Sequence, residues 1–290
     1  MNFKSAILQT LRYSDFFDYP LNLDEIWSYL IVDKPVSKFS LKQQLSKMVG
    51  EELSFASPFY CLKGREKIFS LRNKRFIISA RKLELSEPMI SFLRFIPSVE
   101  LIGISGSLAR MNTDEEADID LFIITAANTL WITRLLVLIC LQIFGKRRSR
   151  KDKKASDKIC VNFFMDTENL AFAKNRQDVF TAYEIAQMKI IFVRDNIYTK
   201  FIQSNLWIFK ILANWSPYSD ALYLKSSAWQ ISYLRFFEPL SRGLQIWNVH
   251  RHLTTEIVGK GIAAFHPYDY HILVMSSLKS TDTYGTLTKG

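Results

Sequence analysis

The chain has 290 residues, of which 48% are hydrophobic, 14% aromatic and 23% charged, so it is neither collagenous, nor a coiled coil, nor largely disordered. This length predicts two domains or three small ones. The formal charge of +10 is unevenly placed, because the run 146–158 (KRRSRKDKKASDK) contains 8 basic and 2 acidic residues. Such a run can attract a polyanion or simply form a solvated surface loop.

Apolar residues at helical spacing predict two helices near the N-terminus. The first ends at Tyr19-Pro20, because proline stops a helix. Asn22 can cap the second, and Glu25 stands in the capping-box position. A third helix is predicted over residues 41–49, with Ser40 as its cap.

Short β-like segments follow the third helix, at residues 53–55, 59–62 and 68–71, and Lys63-Gly64-Arg65 is the predicted hairpin tip between the last two. Three helices and a basic-tipped hairpin are the pattern of a winged helix, which we assign to residues 1–85. Such a domain can contact nucleic acid through its third helix and its hairpin. A protein-docking or purely structural role is the alternative.

A strand, a Gly-Ser turn, a short helix, a loop and a second strand are predicted over residues 99–125. Gly106 and Ser107 form the turn, and Asp118 and Asp120 open the second strand. Because alternate side chains of a strand share a face, both carboxylates project to one side. Two neighbouring carboxylates repel each other, and a divalent cation relieves the repulsion.

The carboxylate ligands predict a metal site for Mg²⁺, or for Mn²⁺, at Asp118 and Asp120. Because Mg²⁺ is often bound by one or two carboxylates together with substrate phosphates, the predicted partner is a nucleotide. Gly106 leaves room for a phosphate, Ser107 offers a hydroxyl and an N–H, and Arg110 can add a charged contact.

These residues resemble the signature of the polymerase β-like nucleotidyltransferase superfamily: an apolar residue, Gly, then Gly or Ser, and about ten residues later Asp, an apolar residue and Asp. Gly106-Ser107 and Asp118-Ile119-Asp120 match this signature, with ten residues between the two groups. The resemblance implies a mixed sheet with flanking helices over residues 86–198. It also implies transfer of a nucleoside monophosphate from a nucleoside triphosphate to an acceptor, with Asp118 and Asp120 holding the metals.

The superfamily usually adds a third catalytic carboxylate from a neighbouring strand, and this sequence departs from that pattern. The candidate strand covers residues 159–165, and its central polar residue is Asn162. An amide oxygen can coordinate a metal but brings no charge, so we expect a weaker metal site. We favour Asn162 as the equivalent residue; Asp166, at the end of the strand, is the alternative.

The apolar segment 129–144 predicts a buried helix, because its 16 residues include Arg134 and Gln142, whereas a membrane span needs about 20 apolar residues. Attachment to a membrane surface through this helix and the neighbouring basic run is an alternative hypothesis. A further helix is predicted over residues 181–189, with Ile185 directed inward and Glu184 directed outward or toward a cleft.

Residues 199–290 contain many aromatic residues at helical spacing and predict an all-α C-terminal domain. All four histidines lie in this part, and their spacing fits no usual metal-binding helix, so we interpret them as core or capping residues. The three cysteines form no CxxC pair, and the first thirty residues lack a secretory pattern. We therefore expect a cytoplasmic protein without disulfides or structural zinc.

The leading hypothesis is a metal-dependent nucleotidyltransferase of the α+β class, with a winged helix before the catalytic domain and an all-α domain after it. No residue indicates the acceptor or the base preference. The alternative is a nucleic-acid-binding winged-helix protein, in which the basic run 146–158 also contacts nucleic acid and the second domain only senses a nucleotide.

Overall fold

The computed structural model describes residues 2–149, 156–217, 221–225, 228–250, 257–259, 261–265 and 270–284. Over these residues the chain combines helices with two β-sheets, which confirms the predicted α+β class. One sheet has three strands and lies near the N-terminus; the other has seven strands and is mixed.

The N-terminal part of the chain contains three helices and the small sheet. Its elements are α1 (Phe3–Asp15), β1 (Leu21–Asn22), α2 (Leu23–Ser28), α3 (Lys38–Met48), β2 (Leu53–Ala56) and β3 (Phe59–Leu62). The strands are antiparallel, in the order β1-β3-β2. The predicted capping box is confirmed, because Asn22 Oδ1 accepts the Glu25 N–H and Glu25 Oε2 accepts the Asn22 N–H, each at 2.9 Å.

Two details of this part differ from the sequence prediction. Helix α3 begins at Lys38, because Ser37 and not Ser40 is its cap, and Ser37 Oγ accepts the Ser40 N–H at 3.1 Å. The predicted strand 68–71 is wrong, since these residues open a long helix, α4 (Ile68–Phe92). A short apolar run fits a strand or a helix equally well, and here helix-forming residues continue after it.

The predicted basic hairpin tip is also wrong. The hairpin joins β2 to β3, so its turn is Ser57-Pro58. Lys63-Gly64-Arg65 instead leads into α4, and Arg65 Nε donates to Asp15 Oδ1 at 2.7 Å. The turn of this hairpin therefore carries no charged residue.

The seven-stranded sheet forms the centre of the molecule. In chain order, the elements after α4 are β4 (Val99–Ser105), α5 (Gly106–Ala109), β5 (Ile119–Thr125), α6 (Leu130–Ile143), β6 (Ile159–Asp166), α7 (Val179–Ala186), β7 (Lys189–Arg194), α8 (Ile197–Gln203), β8 (Leu222–Leu224), α9 (Ala228–His250), β9 (Ile257–Gly259), β10 (Ile262–Ala264) and α10 (Tyr270–Tyr284). The strand order is β8-β7-β4-β5-β6-β10-β9. Strand β4 is antiparallel to β5 and β7, whereas β5 and β6 are parallel.

Alternate side chains of the central strands enter two different apolar cores. Ile102 and Leu121 belong to a core that includes residues of α4 and α6. Leu101 and Phe122 belong to the other core, which includes residues of α7 and α8. The sheet is therefore buried on both faces, which explains the nearly continuous apolar sequences of β4 and β5.

The predicted all-α C-terminal domain is wrong, because three strands from this part extend the central sheet. Strand β8 pairs with β7 at one edge, while β10 pairs with β6 at the other edge and β9 pairs with β10. Each of these strands has 3 residues, too few to show an alternating pattern in the sequence. The predicted domain boundaries, 85/86 and 198/199, fall inside α4 and α8 and stay predictions.

The apolar segment 129–144 forms α6, as predicted, and Trp131, Val137 and Leu141 are on its buried face. Glu238 of α9 accepts the N–H groups of Trp131 at 3.0 Å and Ile132 at 2.8 Å, which satisfies the free N–H groups at the start of α6. Of the helices that the structure describes, none has the combined length and apolar composition of a bilayer span.

Polar contacts join the N-terminal part to the central sheet. Asn214, which lies between α8 and β8, accepts the Val36 N–H at 2.8 Å and donates to the Trp27 carbonyl at 2.9 Å. The Tyr183 hydroxyl of α7 donates to the Tyr29 carbonyl at 2.6 Å. Helix α2 and the residues that follow it are thereby held against the layer that contains α7.

Glu100, a buried carboxylate in β4, makes the stability of the fold depend on pH. Burial raises the pKa of Glu100 from 4.5 to about 7, so folding favours the protonated form. Its contribution is present below the unfolded pKa and is lost as the pH rises through about 7. We expect Glu100→Gln to be more stable than wild type at pH 8 by roughly 1–3 kcal/mol and to lose that advantage at pH 4, in urea unfolding. An advantage of equal size at both pH values would contradict this assignment.

Candidate active site

Asp118 and Asp120 lie at the start of β5, on the same side of the central sheet. Ile119 between them is buried in the opposite direction, as the alternation of a strand requires. Asp120 is opposite Ser105 of β4 and opposite Cys160 of β6. The pair is therefore placed at the middle of the sheet, at the end of β4 where the Gly-Ser turn begins.

Gly106 brings this turn against Asp120. Its φ is +66°, in the left-handed region that glycine adopts without strain. A Cβ atom at this position would lie 2.7 Å from Asp120 Oδ2, so any side chain here would require the Asp120 carboxylate to shift. Ser107 follows in α5, which has only 4 residues, and is half-buried. The structure therefore places the turn and Asp120 next to each other.

Of the two residues considered for the third carboxylate position, Asn162 lies in the site. Asn162 is buried, and its Nδ2 donates to Asp120 Oδ1. Asp166 is opposite Thr125, at the far end of β5, where its Oδ1 accepts from Asn169 Nδ2 at 2.7 Å. In this orientation the amide of Asn162 faces Asp120 with its NH₂ group and not with its oxygen.

Cys160 is a site residue that the sequence analysis missed. Its Sγ and one carboxylate oxygen from each of Asp118 and Asp120 all lie within 4.8 Å of one another. The thiol donates to Asn162 Oδ1 at 2.8 Å. Burial, and then the charges of Asp120 and Asp118, raise the pKa of Cys160 to about 12. The sequence analysis considered only the central polar residue of this strand, Asn162, and so overlooked Cys160, which pairs with Asp120 across β5 and β6.

Arg148, from the basic run, contacts the acid pair directly: its Nη1 donates to Asp118 Oδ2. The backbone of the neighbouring Arg147 pairs with Ile159 at the start of β6, which brings the run to the site. Residues 150–155 of the run lie outside the described residues. The sequence left two interpretations of the run open, attraction of a polyanion and a solvated surface loop, and neither included this ion pair.

The electrostatics of the site favour an added positive charge. Burial, the charge of Asp118 and the charge of Glu184 raise the pKa of Asp120 well above its usual value, and Arg148 and Asn162 oppose this. The ionised pair is therefore costly without a cation. In the described part of the chain, Asp118, Asp120 and Cys160 form the one group of three His, Cys, Asp or Glu side chains close enough to share a metal ion.

Arg110, predicted to contact phosphate, is held by protein groups. Its guanidinium lies 4.2 Å from the centre of the Phe17 ring, and its Nη1 donates to Glu184 Oε1 at 3.3 Å. The side chain is only 8% exposed. The structure thus places Arg110 beside α7 and not beside Asp118 or Asp120.

Helix α7 differs slightly from the helix predicted over 181–189. Asp178 caps it by accepting the Thr181 N–H at 3.0 Å, and it ends at Ala186, so that Lys189 already belongs to β7. Ile185 is buried, as predicted. Glu184 pairs with Arg110, and its charge contributes to the raised pKa of Asp120.

Lys82 of α4 fixes the backbone that leads to Asp118. The side chain is 0% exposed, and its Nζ donates to the carbonyls of Glu115 at 2.9 Å and Ala117 at 2.6 Å. Ser79, one turn earlier, accepts the Thr113 N–H at 3.1 Å. The sequence gave no sign of this role, because Lys82 is one of several charged residues on its helix and its partners are backbone atoms about 35 residues away.

The histidines are not part of this cluster in the described residues. His271 of α10 pairs with the side chain of Asp178, the cap of α7, and is itself neither a cap nor a core residue. His252, His266 and the side chain of His250 lie outside the described residues.

Comparison with known proteins adds no relative to this picture. No family model, no curated protein and no solved structure matches the chain.

The close approach of Gly106 to Asp120 predicts an unusual cost for a methyl group at position 106. We expect Gly106→Ala to lower the free energy of unfolding by about 1–3 kcal/mol more than Gly145→Ala, measured by urea denaturation. Gly145 is a matched control, because its φ is +64° but nothing lies within 4 Å of an added Cβ. Equal losses in the two variants would show that backbone strain alone decides the effect.

Proposed function

We propose that this protein is a metal-dependent nucleotidyltransferase, which moves a nucleoside monophosphate from a nucleoside triphosphate to an acceptor and releases pyrophosphate. The observation that carries the proposal is the placement of Asp120 against Gly106, with Asp118 beside it. The order β4, Gly-Ser turn, α5, loop, β5 supports the resemblance to the polymerase β-like superfamily.

The residues present fit Mg²⁺. Asp118 and Asp120 would hold the ion with the oxygen ligands that it prefers. Burial and the charge of Asp118 raise the pKa of Asp120, and a bound cation would offset the cost of ionising the pair. A bound Mg²⁺ supplies charge that neutralises the reacting phosphates. Mn²⁺ also fits, because it too prefers carboxylate oxygens.

The residues around the pair have distinct tasks in this proposal. Gly106 leaves its backbone open to the triphosphate, and Ser107 contributes its N–H and hydroxyl. Asn162 donates to Asp120 and so fixes the orientation of that carboxylate. The acceptor oxygen attacks the α-phosphorus, and the reaction is promoted by positioning and by electrostatics.

Arg148 donates to one carboxylate oxygen of Asp118 in the structure. A metal ion that neutralises the charges of Asp118 and Asp120 would make this ion pair less necessary. Because the Arg148 side chain is 33% exposed, it can turn from Asp118 toward an incoming phosphate without disturbing the core. We propose that Arg148 is the residue of the basic run that contacts the triphosphate, in place of Arg110.

The arrangement of α1, β1, α2, α3, β2 and β3 supports a winged-helix domain in the N-terminal part. Its outward surface on α3 includes the exposed residues Lys42, Gln43 and Lys47. This exposed basic face favours the second candidate function, binding of nucleic acid with a nucleotide-sensing second domain. Ion pairs within the N-terminal part argue against this function, because Lys38 pairs with Asp24 and Arg65 pairs with Asp15, so these two basic groups are already neutralised.

The free cysteines agree with the reducing conditions of the cytoplasm, which we propose as the location. Cys61 is buried, and Cys140 and Cys160 are half-buried, without a disulfide.

Transfer of label tests the proposed function. The protein is incubated with each α-labelled nucleoside triphosphate, Mg²⁺ or Mn²⁺, and pooled acceptors. We expect Asp118→Asn and Asp120→Asn to lose transfer by at least about 100-fold, because each removes an oxygen charge from the metal site. Asp166→Asn is the matched control and should retain transfer. Equal transfer by wild type and both site variants would contradict the proposal.

Salt dependence distinguishes the second candidate. If the N-terminal part binds nucleic acid, its affinity for duplex DNA should fall steeply between about 50 and 200 mM salt, and Lys42→Ala with Lys47→Ala should reduce the slope by about 2. Fluorescence anisotropy with a labelled duplex measures both. An affinity that hardly changes with salt would exclude the phosphate contacts of this candidate.

A further inference from the structure

A cleft of about 280 Å³ lies between the N-terminal part and the turn that follows α5. This volume is close to that of small-molecule sites, which often form where two parts of a protein meet. One wall is formed by α2, α4 and neighbouring residues, the other by the residues after Gly106-Ser107. The lining of the cleft includes Tyr29, Arg72, Phe76, Arg110 and Gln187.

Each wall contributes a buried guanidinium with incomplete hydrogen bonding. Arg72 is 7% exposed; its Nη2 donates to Glu25 Oε1 at 2.6 Å, but its Nη1 has no hydrogen-bond partner. Arg110 donates through Nη1 to Glu184, while its Nε has no partner. Buried polar groups that lack a partner are rare in folded proteins and often mark the site of an ion or ligand.

Each guanidinium of the cleft is paired with one carboxylate, Arg72 with Glu25 at 2.6 Å and Arg110 with Glu184 at 3.3 Å. Burial raises the pKa of Glu25 and lowers that of Arg72, which shows that this pair is costly to keep charged. The N–H groups of Arg72 Nη1 and Arg110 Nε have no partner and can donate to an anionic ligand.

Aromatic side chains complete the cleft. Phe76 of α4 is 50% exposed, although it is a large apolar residue. Tyr29 is half-buried on the same wall. Exposed aromatic faces beside cationic groups suit a ligand that combines a planar ring with a negative charge.

We propose that this cleft binds the acceptor, and that the acceptor is a small organic anion with a planar ring and a free hydroxyl, of the size of a nucleoside monophosphate. That the bound molecule is the acceptor rests on the proposed transferase function, whereas the binding of such an anion in the cleft does not depend on it. In the transfer, the hydroxyl oxygen bonds to the α-phosphorus, the bond from phosphorus to pyrophosphate breaks, and the hydroxyl proton passes to water.

The position of the cleft agrees with this assignment. Arg110 and Met111 follow the Gly106-Ser107 turn within a few residues and line the cleft. Ala109, the last residue of α5, also lines the cleft. The cleft therefore adjoins the short helix that contains Gly106 and Ser107, and the charge of Glu184, the partner of Arg110, contributes to the raised pKa of Asp120.

Isothermal titration calorimetry without divalent metal tests the binding, with AMP and ribose 5-phosphate as probes. We expect AMP to bind about tenfold more tightly than ribose 5-phosphate, because only AMP has a ring that stacks. Phe76→Ala should remove this preference. Ile77→Ala is the matched control, since Ile77 is 70% exposed and does not line the cleft, and it should bind AMP as wild type does.

Arg110→Gln should weaken both probes, because both carry the phosphate. The proposal is overturned if AMP and ribose 5-phosphate bind equally, or if AMP affinity is the same in Phe76→Ala and wild type. Competition of AMP with ATP, without any effect of Phe76→Ala, would place AMP at the Gly-Ser turn and would also overturn it.

The transfer assay separates this inference from the proposed function. Label transferred to a pooled acceptor at equal rates by wild type and Phe76→Ala would overturn the cleft assignment and leave the transferase function intact. AMP binding that depends on Phe76, together with Asp118-dependent transfer of label to AMP, would support both. Binding that depends on Phe76 without any transfer would support the cleft and count against the transferase function.

Discussion

The carboxylates of Asp118 and Asp120 repel each other, and the candidate site is organised around this repulsion. A strand that places two acids on one face must compensate their charge or protonate one of them. Arg148 compensates part of the charge by donating to Asp118, and burial favours the protonated form of Asp120 by raising its pKa. In the proposed function, a divalent cation would replace this partial compensation with a complete one and would link the geometry of the pair to the chemistry of phosphates.

The scaffold leaves these groups little freedom. Strand β5 lies between β4 and β6, so Asp120 has fixed neighbours on both sides, Ser105 and Cys160. Gly106 allows the turn to touch the carboxylate, and Lys82 holds the carbonyls just before Asp118. A site whose residues stand on adjacent strands and are secured by a buried lysine is organised before any ligand arrives.

The part of this arrangement that depends on local pattern could be predicted from the sequence. The capping box of Asn22 and Glu25, the Gly-Ser turn and the shared face of the two aspartates all follow from neighbours within a few residues. The shared site of Cys160 and Asn162 could not be read from alternation, because the register between β5 and β6 shifts at Asn162. The amide orientation of Asn162 depends on its contacts and required the structure.

What depends on distant contacts could not be predicted. Arg148 and Lys82 are ordinary basic residues in the sequence, and their partners are set by how α4 and the basic run pack against β5. The short strands β8, β9 and β10 are identified only by their pairing with neighbouring strands, because three residues are too few to show a periodic pattern. The run 68–71 became helix because the helix-forming sequence after it decided its conformation.

Titration of the protein with Mn²⁺, followed by electron paramagnetic resonance, tests most directly whether Asp118 and Asp120 hold one metal ion together. The account predicts one bound Mn²⁺ in the wild type, and an affinity at least about tenfold weaker in the Asp118→Asn/Asp120→Asn double variant. Unchanged Mn²⁺ affinity in the folded double variant would contradict the account.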